Sequence, residues 1–115
     1  MDRNALGRRG EDLAARHLES EGWLVLARNV REGRREVDLV VQRGRVVAFV
    51  EVKCRRGTGF GHPLEAITPR KREEIAKVAR AWMRTRGLPP GAEVRFDAVS
   101  IVVRDGLPPA LVHVA

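Results

Sequence analysis

An α/β fold is the architecture that the sequence predicts, as a single domain over residues 1–115 with a central mixed sheet flanked by helices. Two observations predict it. Valine-rich segments with strand-like alternation recur along the chain, and two other segments repeat apolar residues at helical spacing, which gives the order αβββαββ. A chain of 115 residues buries roughly two-thirds of its unfolded surface, so it can form one core but not two.

The first helix is predicted to begin at a cap on Asp2 or Asn4 and to run to about Glu21, where Gly22 ends it. The residues spaced along one side of this helix are Leu6, Leu13, Ala14, His17 and Leu18. This spacing is typical of a helix that packs one face against a sheet.

Three strands are predicted to follow the first helix. They span residues 23–30, 36–42 and 45–53, with a loop at residues 31–35. The second and third strands flank Gly44 closely enough to form a hairpin. Residues 46–50 are apolar on both faces, which indicates a central strand that is covered on each side.

A second helix is predicted after a glycine-rich loop. The loop contains Gly57, Gly59, Gly61 and Pro63. It lacks the Gly-Lys-Ser/Thr ending of a nucleotide-binding loop, so contact with DNA is its favoured functional role.

The second helix itself is predicted from Thr68 as N-cap and Pro69 in the first turn to a stop at Gly87. Its apolar stripe consists of Ile75, Val78, Ala79, Trp82 and Met83. Residues 93–103 then predict a fourth strand, and residues 111–114 predict a short last strand.

The net charge of +7 is concentrated in the middle of the chain. Residues 28–72 hold 12 basic and 5 acidic side chains, an excess of 7, so the remaining residues are neutral overall. Such a basic segment favours a polyanionic partner. Two tryptophans and three phenylalanines, with no tyrosine, offer little material for base stacking, which disfavours an RNA-binding protein of ribosomal type.

Several function classes are excluded by composition. The single Cys54 rules out an internal disulfide and a multi-thiolate zinc site, as expected in a reducing cytoplasm. Arg8 and Arg9 are followed by charged residues instead of the apolar run of a secretion signal. Unbroken apolar runs stop at about five residues, whereas a membrane span needs about twenty. We therefore expect a cytoplasmic protein that does not enter a membrane.

Three charged residues lie where the predicted strands are otherwise apolar. Asp38 is flanked by aliphatic residues, and Glu51 and Lys53 follow the apolar segment of the third strand. If the hairpin loop has an even number of residues, Asp38 points to the same side as Glu51 and lies opposite either Phe49 or Glu51. Two carboxylates brought together in an apolar setting repel each other, and a divalent cation would offset that repulsion.

Magnesium is the cation that such oxygen ligands favour, and the carbonyl of Val52 can add another ligand. A Glu-x-Lys pair alone is usually an ordinary ion pair at an exposed strand end. Asp38 is harder to explain in that way, because a buried carboxylate is costly unless it binds something. The chain has 19 Arg and only 3 Lys, so the choice of Lys at position 53 favours a role that arginine cannot fill.

Asp38, followed after 12 intervening residues by Glu51-Val52-Lys53, resembles the signature of the PD-(D/E)XK nuclease superfamily. The pattern is most similar to the YraN-like proteins within it and extends from about residue 7 to residue 101. Other matching motifs are Gly10-Glu11, Arg28-Asn29, Lys71 and Arg95-Phe96-Asp97. The arrangement also resembles archaeal Holliday-junction resolvases, which bind metal and cut branched DNA.

The resemblance implies a restriction-endonuclease-like αβββαβ core and a metal-dependent DNA endonuclease that acts on branched or structured DNA. It implies that Asp38 and Glu51 bind magnesium or manganese, that Lys53 is the catalytic lysine and that Glu11 is a further acid near the metal. Glu36 either supports the site or only solvates the strand entry, and the second role is favoured. A homodimer is expected from the resolvase resemblance alone.

Seven basic residues near these acids are candidates for nucleic-acid contacts. They are Arg34, Arg35, Arg55, Arg56, Arg70, Lys71 and Arg72. The last three lie in the first turn of the second helix, where cations oppose the helix dipole, so a bound phosphate would relieve an unfavourable placement. A non-catalytic nucleic-acid-binding protein that retains the nuclease fold stays open as the alternative. Both proteins would bind DNA with a steep salt dependence, so only metal dependence separates them.

Overall fold

A computed structural model of the chain describes residues 3–57 and 68–115. Its elements follow the predicted order αβββαββ. They are α1 (Arg3–Ser20), β1 (Leu24–Glu32), β2 (Arg35–Arg43), β3 (Val46–Arg56), α2 (Pro69–Arg86), β4 (Glu93–Val103) and β5 (Ala110–Val114).

The five strands form one mixed sheet in the order β1-β2-β3-β4-β5. Neighbouring strands are antiparallel except for β3 and β4, which run parallel and are joined through α2. A parallel pair needs a crossover of this kind, whereas the antiparallel pairs need only short turns. The predicted α/β fold is confirmed, and the architecture is consistent with a restriction-endonuclease-like core.

The two helices cover opposite faces of the sheet. Ala14 and Leu18 of α1 pack in one core cluster, which includes Val50 of β3. Ile75 and Val78 of α2 pack in a second cluster, which includes Phe49 of β3. Because β3 contributes to both clusters, the prediction of a central strand covered on each side is confirmed. No helix in residues 3–57 and 68–115 is long and apolar enough to cross a membrane.

The ends of α2 lie where the sequence predicts them. The hydroxyl of Thr68 accepts a hydrogen bond from the backbone N–H of Lys71 at 3.1 Å. Gly87 has φ 75°, and its N–H donates to the carbonyl of Met83 at 2.8 Å. These caps satisfy backbone groups that the helix itself leaves unpaired.

Other boundaries differ from the predictions. The predicted loop at residues 31–35 is wrong, because β1 and β2 extend to a turn of two residues in which Gly33 has φ 62°. α1 already includes Arg3, so Asn4 lies inside the helix and is not its cap. The alternative cap Asp2 lies outside the described residues, as do Gly59, Gly61 and Pro63 of the predicted DNA-contacting loop.

Candidate functional site

The hairpin of β2 and β3 brings Asp38 beside Glu51. A turn of two residues sets the register Val40 opposite Phe49 and Leu39 opposite Val50. One more step of that register places Asp38 opposite Glu51, but the backbone ladder ends before it. There the carboxylate of Asp38 accepts a hydrogen bond from the backbone N–H of Val52 at 2.7 Å. The side chain thus replaces a backbone acceptor where the two strands separate.

The neighbouring strand β1 is irregular at the same level of the sheet. Arg28 pairs with Leu39 and Val30 pairs with Val37, so Asn29 lies opposite Asp38. Asn29 has φ 52°, which makes it the one non-glycine residue with positive φ in the described chain. Asparagine tolerates this left-handed conformation better than most residues do.

The first half of α1 is held against the sheet at this point. Gly10 allows the close approach, because a Cβ atom there would collide with the side chain of Cys54 on β3. Arg28 on β1 forms an ion pair with Asp12 at 2.6 Å. Between these two contacts lies Glu11, whose carboxylate accepts a hydrogen bond from the side chain of Asn29.

Three half-buried acids converge as a result. One carboxylate oxygen from each of Glu11, Glu36 and Asp38 lies within 4.8 Å of the other two. Glu36 is therefore closer to the centre of the site than the favoured sequence interpretation placed it. Glu51 lies beside this group of three, and its carboxylate is 3.5 Å from the ammonium of Lys71 on α2.

Each of the four acids has a different partner. Glu11 is bonded to the Asn29 amide, Glu36 to Arg31 at 3.1 Å, Asp38 to the Val52 N–H and Glu51 to Lys71. Two partners are cations and two are neutral. No ion pair joins Asp38 to a basic side chain within residues 3–57 and 68–115.

The pKa values of three of these acids are raised. Burial and the nearby charge of Glu51 raise the pKa of Asp38 to about 7, although the hydrogen bond from Val52 opposes the shift. Burial also raises the pKa of Glu11 against the effect of Asn29, and it raises the pKa of Glu51 against the effect of Lys71. The site therefore disfavours the ionised form of these carboxyls, and a bound cation would favour it.

The donor set of these acids fits magnesium or manganese. It consists of hard carboxylate oxygens. In an octahedral magnesium site with bonds of about 2.1 Å, ligand oxygens lie about 3.0 to 4.2 Å apart. The separations of up to 4.8 Å among Glu11, Glu36 and Asp38 need only a small side-chain adjustment to meet that range.

Lys53 is exposed at the same edge of the sheet, and its charge adds to that of Lys71 in opposing the rise that burial causes in the pKa of Glu51. It lies on β3 two residues beyond Glu51 and has no ion pair within the described parts of the chain. Its ammonium is thus available to an incoming anion.

The predicted basic contacts lie around the same end of the sheet. Arg34 and Arg35 lie at the turn into β2, whereas Arg55 and Arg56 end β3. The first turn of α2 contributes Arg70, Lys71 and Arg72. Of these seven side chains, Arg35 is partly buried with an unpartnered Nε atom, Arg70 lies 3.9 Å from Glu74, and Lys71 is paired with Glu51. The acids are therefore bordered by basic side chains.

A second group of charges lies two strands away from Asp38, at the motif Arg95-Phe96-Asp97, to which the sequence assigns no role. Asp97 on β4 is fully buried and accepts hydrogen bonds from Arg95 and His113, each at 2.8 Å to the same oxygen. The sequence shows Arg95 and Asp97 as neighbours, but the contact with His113 depends on the register of β4 with β5. In the same way, only the strand pairing reveals Asn29 and Arg31 as partners of the site acids.

Comparison with known proteins identifies close relatives. Residues 10–101 match the family described as "Uncharacterised protein family UPF0102". The chain is 44% identical over 112 residues to a UPF0102 protein of Nocardia farcinica, covering 97% of this chain and 87% of the relative. It is 46% identical over 110 residues to one of Rhodococcus jostii, covering 96% and 92%. For one of Chloroherpeton thalassium the identity is 40% over 99 residues, covering 86% and 76%.

The family match spans the four acids, Lys53, all of α2 and the part of α1 from residue 10 onward. They confirm the resemblance to YraN-like proteins that the order of motifs indicated. The chain belongs to the UPF0102 family.

Proposed function

We propose that the protein is a divalent-metal-dependent nuclease that hydrolyses phosphodiester bonds of DNA in the cytoplasm, with branched or structured DNA as its preferred substrate. One observation carries the proposal. Carboxylate oxygens of Glu11, Glu36 and Asp38 converge within 4.8 Å of one another, and the partner of Asp38 in the described residues is the neutral N–H of Val52. Magnesium or manganese takes such hard oxygen ligands, and a bound cation would favour the ionised form of carboxyls whose pKa burial raises.

The roles of the residues follow from their positions. Asp38, Glu11 and Glu36 would hold the cation, and Glu51 and the carbonyl of Val52 would be its further ligands. A cation bound there would stabilise charge on the phosphoryl oxygens and lower the pKa of a bound water. Lys53 offers its exposed ammonium to the scissile phosphate or the attacking water, where a positioned positive charge stabilises the transition state.

Binding of DNA rests on the basic side chains that border the acids. Arg34, Arg55, Arg56 and Arg72 are exposed and attract the phosphate backbone without selecting a base sequence. A homodimer stays a prediction from the resolvase resemblance, and sedimentation of the purified protein tests it.

A non-catalytic DNA-binding protein is the second candidate. One observation favours it: Lys71 already neutralises Glu51, which is one of the two acids of the nuclease signature. A protein that had lost its metal could use such a pair to keep the fold stable. The metal requirement distinguishes the two candidates.

The test is cleavage of linear, single-stranded, flapped and four-way DNA by the purified full chain with Mg²⁺ or Mn²⁺. We expect cleavage that chelation abolishes and that Asp38→Asn and Lys53→Ala each reduce at least about 100-fold, as expected for loss of a catalytic group. The matched pair Glu51→Gln and Glu93→Gln removes one acid inside the site and one at the start of β4. Only the first should lose activity.

Two results together would contradict the nuclease proposal. If no substrate is cut and Asp38→Asn binds Mn²⁺ as tightly as the wild type, the nuclease proposal is wrong. DNA binding that persists unchanged under chelation would then support the non-catalytic candidate.

A further inference from the structure

Glu51 and Lys71 form the most enclosed ion pair at the edge of the candidate site. Glu51 belongs to β3 and is buried, with 8% of the residue exposed. Its Oε1 atom lies 3.5 Å from Nζ of Lys71, whose side chain is 36% exposed. A carboxylate that is so far removed from water needs a compensating charge, and in this structure Lys71 provides it.

The same ion pair accounts for the position of Glu51 outside the group of three acids. Glu11, Glu36 and Asp38 share a common centre, whereas Glu51 faces α2. One step beyond the last paired residues of β2 and β3, Glu51 lies opposite Asp38, and its charge contributes to the raised pKa of Asp38. Its carboxylate would therefore lie beside a cation held by the three acids.

The side chain of Lys71 can rotate without a change in the backbone of α2. Its backbone N–H is fixed by the hydroxyl of Thr68 in the N-cap. Its side chain, in contrast, has a flexible four-carbon stem that carries a compact charge. The ammonium can leave Glu51 by rotation of that stem while α2 stays in place.

We propose that Lys71 occupies the place of the divalent cation at Glu51 in the metal-free protein and releases Glu51 when the cation binds. The inference rests on the proposed metal site. An ammonium and a divalent cation compete for the same carboxylate, and the exchange keeps Glu51 compensated in both states. The released ammonium would join the exposed side chains of Arg70 and Arg72 in the first turn of α2, where it can contact a substrate phosphate. Lys71 is thus a positioning residue that acts through Glu51.

The decisive measurement is calorimetric titration of Mn²⁺ into the metal-free full chain without DNA. We expect Lys71→Met to tighten Mn²⁺ binding about tenfold, which corresponds to about 1.4 kcal/mol, because the competing charge is gone. Lys77→Met makes the same change in an exposed residue of the same helix. It should alter the affinity less than twofold at physiological salt, where distant exposed charges are screened.

Two further variants isolate the contact with Glu51. In a Glu51→Gln background, Lys71→Met should no longer tighten Mn²⁺ binding, because no carboxylate is left to compete for. Lys71→Gln serves the same purpose as Lys71→Met if the latter fails to fold, since it removes the charge and keeps a neutral donor. Circular dichroism establishes folding before each titration.

A separate measurement gives an effect of opposite sign. DNA affinity under chelation should fall in Lys71→Met, because Glu51 is then left without its cation and repels the phosphate backbone, whereas metal affinity rises. If wild-type protein binds Mn²⁺ and both Lys71 variants bind it equally or more weakly, the exchange is overturned while the nuclease proposal stands. If the wild type binds no Mn²⁺ or Mg²⁺, the metal site itself is wrong and the exchange fails with it.

Discussion

Asp38 and Asp97 are acids of the same sheet, two strands apart, and their surroundings shift the pKa of the two carboxyls in opposite directions. Burial opposes the charge of Asp97, but hydrogen bonds from His113 and Arg95 outweigh it and lower the pKa of that carboxyl. Burial and the charge of Glu51 raise the pKa of Asp38 to about 7. The fold supplies Asp97 with internal partners, whereas no basic side chain of residues 3–57 and 68–115 forms an ion pair with Asp38. Asp97 therefore stabilises the structure, whereas Asp38 is suited to an external ligand.

The largest expected change in the free energy of unfolding comes from removing the carboxylate of Asp97. Asp97→Ala should lower the free energy of unfolding by about 3 kcal/mol, because it leaves Arg95 and His113 without their shared acceptor beside the core. Urea unfolding at pH 7 under chelation, followed by circular dichroism, measures the loss. A loss below about 1 kcal/mol would show that the buried group does little for stability.

The contribution of Asp97 should also depend on pH on the acidic side. Its folded pKa lies below the ordinary value of 3.8, so the unfolded state takes up the proton first. The stabilisation is fully present above about pH 4 and is lost as pH falls through the folded pKa. The difference in unfolding free energy between wild type and Asp97→Asn should thus be constant from pH 5 to 7 and shrink toward pH 2. A difference that grows on acidification would reverse the assignment.

The contribution of Asp38 to the free energy of unfolding should change with pH in the direction opposite to that of Asp97. Between pH 3.8 and about 7 the carboxyl of Asp38 ionises in the unfolded state before it does so in the folded one, so the protein loses stability as pH rises. Asp38→Asn keeps an acceptor for the Val52 N–H and removes the charge. In metal-free protein it should raise the free energy of unfolding by about 1 to 2 kcal/mol at pH 8, after allowance for solvent screening, and by almost nothing at pH 4.

The matched control for this prediction is Asp105→Asn, which changes an acid in the exposed turn between β4 and β5. It should alter the unfolding free energy by less than about 0.5 kcal/mol at both pH values. Added Mn²⁺ should stabilise wild type more than Asp38→Asn. If Asp38→Asn is destabilising at pH 8 without metal, the carboxylate is a structural group like Asp97 and the contrast is lost.

The two sites also differ in how far the sequence predicts them. The proximity of Asp38 and Glu51 is predictable, because it depends on a short hairpin around Gly44 and thus on residues that are close in sequence. The order of elements and the caps of α2 are predictable for the same reason. Asp97 with His113 was not predicted, since their contact depends on the register of a separate edge strand. The positions of ion-pair partners are set by tertiary packing, which local periodicity does not encode.

Within the candidate site, strict alternation was an incomplete guide. Val37 and Val40 pack in the same cluster beneath α2, although their odd separation in a regular strand would place them on opposite faces. The alternation is therefore interrupted near Asp38, opposite Asn29 with its positive φ. That irregularity is the feature that brings an amide of β1 to Glu11 of α1, and no pattern in the sequence predicts it.

Asn29 gives the smallest expected effect, because it is a neutral partner of Glu11, whereas Asp97 is paired with the charged Arg95. Asn29→Ala should lower the free energy of unfolding by about 1 kcal/mol, since alanine pays for the left-handed backbone. Asn29→Gly keeps that backbone and should stay within about 0.5 kcal/mol of wild type.

Both variants free the Glu11 carboxylate and should weaken Mn²⁺ binding about threefold, which calorimetry measures. Equal Mn²⁺ affinity in Asn29→Gly and wild type would mean that Asn29 serves the backbone alone. A weakened affinity without a loss of stability would show that a neutral donor fixes the acid in place and leaves its charge for the metal.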